Sequence, residues 1–408
     1  MPSGKLRAMD LVSAQPFWLL KNGLLRAYPS LKTDVRCDVV VLGGGISGAF
    51  VAESLTRAGF NIVVIEKRDV GAGSTSASTA LLQYEIDTHL TNLTRRIGLR
   101  DAERAYRVCH DSIDAIEQLM DELRVECVFQ RKRSAYLAVK DSEAVILREE
   151  CAARQAAGIA VEYLDAAEVA ARFSFSRPAA LVSAQAAQLD GHRLTHALLA
   201  SAAAQGARIF DRTRVEEVEP EEHGVRLKTD RGCVLHASHV VFATGYEPQE
   251  FLPRRVLRLK STFALASEPL TEFPGWWEQC LIWETTRPYL YLRTTDDGRA
   301  IVGGEDEPFR NPARRDRLVD KKTDRLAERF REMFPRTDLT VDHRWAGTFG
   351  ETKDGLAYIG SVRHMPRCHF ALGFGGNGVT YSIIAAEIIR ETLCGRTHPD
   401  AHLFRFDR

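Results

Sequence analysis

Neither sign of charge is in surplus: Lys and Arg together number 55, Asp and Glu together number 55, and the formal net charge is zero. Without a basic excess the chain has no field to hold a polyphosphate, which argues against nucleic acid as a partner. Long apolar runs are missing as well. No stretch reaches the roughly 18 uninterrupted apolar residues of a spanning helix. Asp10, Pro16 and Lys21 interrupt the amino-terminal stretch, so neither a signal peptide nor an integral membrane segment is expected there. Phe17, Trp18, Leu19 and Leu20 read instead as an arm packed on the folded body. The eight cysteines form no C-x-x-C pair and no metal-ligand spacing, which argues against a disulfide framework or a zinc site. They read as reduced thiols of a cytoplasmic protein. His192 and His196 stand one helical turn apart but lack a third ligand, so no metal is expected and both read as solvated helix residues.

What is present is an ordinary globular composition, 45% hydrophobic and 27% charged over 408 residues, with length for two or three domains. The segment CDVVVLGGGISGAFVAESLTRAGFNIVVIEKRD divides into a strand (39–42), a glycine turn, a helix (47–58) and a second strand (62–65). Gly43, Gly45 and Gly48 keep the G-x-G-x-x-G register. The first allows the tight turn, the second lets backbone approach a pyrophosphate, and the third lets helix and strand pack closely. Ile46 and Ser47 open the helix, whose exposed amides make an anion site. Glu66 ends the second strand, where a carboxylate can accept from the ribose hydroxyls of an adenosine. The alternative, a plain Gly-rich turn, leaves the placing of Glu66 unexplained.

Further βα units do not follow, as they would in a nicotinamide-binding sheet. Small residues return in three distant places instead: from Gly71 to Thr79, at Ala243, Thr244 and Gly245, and at Gly373, Gly375, Gly376 and Gly378 before an apolar helix stopped near Gly395. Three such loops imply an elongated ligand. Two further helices are expected, one over 101–123 with Tyr106, Cys109, Ile113, Ile116, Met120 and Leu123 facing the core, and one following Gly191 that leads back into the first sheet.

In these motifs the sequence resembles the D-amino-acid oxidase and glycine oxidase type of FAD-dependent oxidoreductase. The resemblance implies an α/β fold, a Rossmann-like FAD-binding domain with a second, β-rich substrate domain. The division expected is an arm over 1–35, a discontinuous FAD-binding domain over 36–95, 180–250 and 340–408, and a substrate domain over 96–179 and 251–339. It places Glu66 and Lys67 at the adenosine ribose, and Ser74, Thr75, Thr79, Ala80 and Leu81 along the pyrophosphate and flavin. Val215 would meet adenine through its backbone, Thr244 and Gly245 would approach the ligand closely, and Gly375, Gly376, Asn377, Gly378 and Val379 would sit at the flavin's pyrimidine edge. A helix amino terminus at that edge independently suits the negative charge of a reduced flavin.

Residues 257–304 read as β-rich, with Asp297-Gly298 as a hairpin turn. Alternation puts Tyr289, Tyr291 and Arg293 on one face, the expected substrate face, and Leu290 and Leu292 on the other. Trp345 is a candidate pocket wall, in a W-x-G and D-G-L-x-x-I-G pattern similar to the family's. Where the family usually carries a carboxylate-gripping arginine this chain has Phe349. Either Arg293 or Lys260 grips a carboxylate, or the substrate is an amine without one near the flavin. Lys260 has a second candidate role, assisting electron transfer to oxygen. Residues 345–360 contain no cysteine, so FAD is expected to be noncovalent. The expected activity is oxidation of the C–N bond of an amine or amino acid to an imine by hydride transfer to flavin N5, with O2 or another electron acceptor completing the cycle. The alternatives are oxidation of a 2-hydroxy acid and a noncatalytic flavin-binding module.

Overall fold

The computed structural model describes residues 4–5, 10–13, 15–252 and 254–408. The βαβ unit forms as expected. Strand Val35–Leu42 runs into helix Ile46–Arg57, and strand Ile62–Ile65 lies parallel to the first. The strand residues from Val39 to Val41 are fully buried because both faces of the sheet are covered. Pleating sorts them: Val39, Val41 and Val64 enter the core under the helices, whereas Val40, Leu42 and Val63 enter a second core on the opposite face.

The described residues place nine strands in this first sheet. Strand Arg208–Phe210 extends it beyond Ile62–Ile65, and Val234–Phe242 lies parallel on the other side of Val35–Leu42. Met365–Leu372 joins the end of Val234–Phe242. Residues hundreds of positions apart thereby bring the carboxyl ends of their strands to one edge. Helix Gly378–Leu393 packs beside Ile46–Arg57 in the same core, with Gly395 at φ +74° just past its end. Helix Leu99–Leu123 also enters this core, with Tyr106, Cys109, Ile113, Ile116 and Met120 buried and Leu123 partly so.

Among the described residues a ten-stranded sheet forms the second layer. The hairpin at Asp297-Gly298 joins strands Leu290–Thr294 and Ala300–Pro308, and Arg258–Ser267 and Val341–Glu351 follow across the sheet. Leu290 and Leu292 point into its core with Phe263, Leu265, Leu326 and Phe330. The expected domain boundaries cut across this layout. Strands Ala179–Gln188, Leu81–Gln83 and Val341–Glu351, assigned by number mainly to the cofactor part, hydrogen-bond into the second sheet. Helix Leu99–Leu123, assigned to the substrate part, packs beneath the first. Apolar periodicity marks which face of an element is buried but not which sheet it is buried against.

The amino-terminal arm packs on the body. Val12–Ser13 pairs with Ala346 and Gly347, and the helix Phe17–Asn22 buries Phe17 and Trp18, with the Trp18 indole donating to the Ser78 carbonyl at 2.6 Å. No helix of the described residues is long and apolar enough to cross a membrane.

Candidate active site

The two layers enclose a cavity of about 310 Å³ whose walls come from positions 11 to 379. One end is made by the glycine turn. A side chain on Gly43, which has φ +107°, would meet the Ala243 carbonyl at 2.5 Å, and a Cβ on Gly48 would lie 1.8 Å from the Gly43 carbonyl. Gly48 does not line the cavity; its place is the helix-to-turn contact. Gly43, Gly45, Ile46 and Ser47 do line it. The Thr75 hydroxyl accepts from the Ile46 amide at 3.0 Å, which fastens the loop after residue 70 to the helix start. Glu66 folds back on the turn, accepting from the Gly44 and Arg68 amides, each at 2.8 Å. Burial pushes its carboxyl up in pKa, and the two amides oppose that. The Lys67 ammonium is held by Glu247.

Along the cavity lie Ser74, Thr75, Thr79, Ala80 and Leu81 on one side, with Val215, Thr244 and Gly245 nearer the turn. The Thr244 hydroxyl is buried with no hydrogen-bond partner among the described residues, an orphan that an incoming polar ligand would satisfy. Farther along, Gly375, Gly376, Asn377, Gly378 and Val379 form the wall where helix Gly378–Leu393 begins. Asn377 is fixed there by donating its side-chain amide to the Glu85 carbonyl at 2.8 Å. Every residue expected at the cofactor except Gly48 therefore borders one continuous space.

The far end is built from side chains. Tyr289, Tyr291 and Phe349 line it as expected, joined by Trp283, Thr262 and Asp306 from the second sheet. The Tyr291 hydroxyl lies 3.1 Å from that of Thr262. The extended segment after the small-residue loop contributes Leu81, Gln83, Glu85 and Asp87, while the alternate residues Leu82, Tyr84 and Ile86 are buried in the core. Sequence reading missed Gln83, Glu85, Asp87, Trp283 and Asp306. The alternation in LLQYEID was the available signal for the first three.

Four expectations are corrected. Arg293 shares the face of Tyr291 but does not reach the cavity. Only 2% exposed, it points its Nη1 at the Thr79, Ala80 and Leu189 carbonyls at 2.9, 2.9 and 2.8 Å, and Trp18 of the arm covers it. Burial lowers its pKa to about 9, still leaving a charged guanidinium at neutral pH. Lys260 is likewise absent from the lining; its ammonium pairs with Glu351 at 2.8 Å. Trp345 is wholly buried behind the cavity, stacked near Phe17 and donating to the Ala77 carbonyl at 2.9 Å, so it props the loop from behind. His192 and His196 are not solvated. They are 2% and 6% exposed, face each other, and have pKa values lowered by burial to about 4. The described residues hold no cluster that could bind a metal ion.

A βαβ nucleotide turn and a second sheet enclosing one elongated cavity define a cofactor-dependent enzyme. The chain belongs to the FAD dependent oxidoreductase family, DAO, which matches residues 38–392. Among curated relatives, γ-glutamylputrescine oxidoreductase of Escherichia coli K12 is 24% identical over 383 residues, covering 90% of this chain and 86% of that protein. Glycine oxidase of Bacillus subtilis 168 is 24% identical over 386 residues, covering 91% and 97%. Among solved structures, glycine oxidase from Geobacillus kaustophilus superposes with a TM-score of 0.74 at 21% identity, covering 90% of this chain and 96% of that one. FAD is the cofactor, held noncovalently, and none of the eight free cysteines lines the cavity.

Proposed function

We propose that this flavoenzyme oxidises the C–N bond of an amine to an imine, which water then hydrolyses. One observation carries the reading: the only cations among the described lining residues, Lys67, Arg68 and Arg214, lie toward the glycine-turn end, and the far end is aromatic and acidic. With Phe349 in the arginine's place, and Arg293 and Lys260 engaged elsewhere, no described lining side chain there offers the bidentate grip an α-carboxylate calls for. The same argument disfavours a 2-hydroxy acid.

The cofactor's proposed seats follow the cavity. Gly43, Gly45, Ile46 and Ser47 would hold the pyrophosphate, with Gly48 setting the turn. Glu66 would take the ribose through its remaining lone pairs, with Lys67 beside it, and Val215 would meet adenine. Ser74, Thr75, Thr79, Ala80 and Leu81 would follow the chain toward the ring, with Thr244 and Gly245 opposite. Gly375, Gly376, Asn377, Gly378 and Val379 would meet the pyrimidine edge, where the helix dipole favours negative charge. When bound, the flavin supplies a two-electron acceptor that takes hydride at N5. The protein's own part is to hold the amine's α-carbon at the ring, exclude water and favour the neutral amine. The apolar surfaces of Phe349, Tyr289 and Tyr291 serve the last two.

The test is anaerobic mixing of the purified holoenzyme with amines, amino acids and 2-hydroxy acids while following the flavin's visible band. Bleaching by amines is expected. Bleaching by 2-hydroxy acids alone, or by no compound, would refute the reading.

A further inference from the structure

Charge at the far end of the cavity is unbalanced. Asp87 and Asp306 both line it, one on the extended segment after Leu81–Gln83, the other on strand Ala300–Pro308. The cations that act on both Asp87 and Asp306 are Lys260 and Arg287, both already paired with Glu351 at 2.8 and 3.3 Å, and Arg96 and Lys353 meet Asp87 and Glu351 only in the adjoining cleft, outside the cavity lining. Glu85, two residues before Asp87 and lining the same cavity, has its own set of charged neighbours. It and Glu150 share one guanidinium, Arg154, which is 2.9 Å from Glu150 but 3.5 Å from Glu85, with His110 near Glu85 and His89 near Glu150.

Two of these carboxylates also keep one oxygen without a donor, although Asp306 meets the Thr262 hydroxyl and Glu85 meets Arg154. Glu85 lines the cavity at 5% exposure, yet its Oε2 has no hydrogen-bond partner among the described residues, and neither does the buried Oδ1 of Asp306. A buried carboxylate oxygen without a donor is costly, and an alkylammonium brings three donors with its charge. Burial pushes the carboxyls of Glu85, Asp87 and Asp306 up, Asp306 to about 6, as expected of acids short of a cation.

We propose that this end of the cavity seats a second cationic group of the substrate, so that the compound oxidised is a diamine whose distal ammonium lies among Glu85, Asp87 and Asp306. This rests on the C–N oxidation reading and specifies its substrate class. An amino acid would bring another negative charge to the same place, whereas a monoamine would leave the carboxylates unmatched.

The experiment uses holoenzyme reduced beforehand with dithionite, so that no turnover occurs. Calorimetric affinities are measured for a chain-length series of α,ω-diaminoalkanes, the matched alkylamines and the matched ω-amino acids. The best diamine is expected to bind about tenfold or more tighter than its alkylamine, a difference of about 1.4 kcal/mol, and the ω-amino acid weakest. Asp306→Asn should erase most of that advantage. Glu85→Gln should do the same, and because Glu85 also meets Arg154, the Asp306 variant keeps the test decisive if the Glu85 variant fails to fold. Equal affinity for diamine and alkylamine, a preference for the amino acid, or an advantage that survives Asp306→Asn would overturn the proposal. Diamines that bind tightest but fail to bleach the oxidised flavin would refute the oxidation reading and leave the cation seat standing. Monoamines that bleach it and bind as well as diamines would do the reverse.

Discussion

The two ends of the cavity are made by different means. At the glycine-turn end, backbone does the shaping. Gly43, Gly45 and Gly48 let chain approach chain, and Glu66 is held by two amides, that of Gly44 in the turn and that of Arg68 two residues farther on. At the far end side chains do it, brought from residues 83–87, 283–291, 306 and 349 by separate strands of the second sheet and the segment that leaves Leu81–Gln83. The first design tolerates almost no added atom, while the second tolerates substitution but depends on charge matching.

The largest effect should therefore come from adding one carbon to the backbone-built end. Gly48→Ala puts a Cβ where the Gly43 carbonyl already stands, 1.8 Å away. It should cost about 3 kcal/mol of stability and yield protein without flavin, read by denaturant unfolding and by absorbance of the purified protein. A folded, yellow variant would show that the turn has more slack than its geometry implies.

Arg293→Met should come next. It strips a buried donor from the carbonyls of Thr79, Ala80 and Leu189, and Ala80 sits at φ +53°, a conformation that needs holding. A loss of about 2–3 kcal/mol is expected from leaving such groups unpaired, with weaker flavin retention. KM for amines should change little in whatever flavoprotein remains. A large rise in KM at unchanged stability would restore Arg293 as a substrate clamp.

A smaller, pH-dependent effect separates either end from the helix beneath. His192 and His196 have folded pKa values near 4 against an ordinary 6.5, so between those values the unfolded chain binds more protons than the folded one. Their contribution is whole above pH 6.5 and is lost as pH falls toward 4. The double variant His192→Gln/His196→Gln should flatten that loss by on the order of 2 kcal/mol, measured by urea unfolding at pH 7 and pH 5.5. An unchanged slope would mean that both rings already take up protons in the folded state.

Lys260→Met should matter least to turnover. The lysine is tied to Glu351 outside the lining, and reoxidation of reduced enzyme by oxygen should change by no more than about twofold, the scale of a screened, partly exposed charge. A tenfold fall would show that its charge does reach the flavin.

The same contrast sets how much could be read from the chain. The strand, turn, helix and second strand of residues 35–65 were legible because their signals are local: an apolar run, a glycine register and a terminal acid. Leu290 and Leu292 were rightly set opposite Tyr291, since pleating is local too. Arg293 was misjudged because its face is shared by the cavity and by a packed loop, and only the arm crossing at Trp18 decides which lies above it. His192 and His196 looked solvated because a polar residue on a helix ordinarily is; here the loop at Gly71 closes over them, its Cβ position 2.8 Å from the His192 ring.

What the chain alone determined is the cofactor end, because a nucleotide turn is written in consecutive residues whose backbone needs are intrinsic to glycine. What only the tertiary structure decided is the chemistry of the other end. Whether Asp87, Glu85 and Asp306 line one space, and whether Arg293 and Lys260 enter it, depends on which strands neighbour which within the second sheet and on the loops packed over it. Electrostatic balance is a property of that juxtaposition and of the water it excludes.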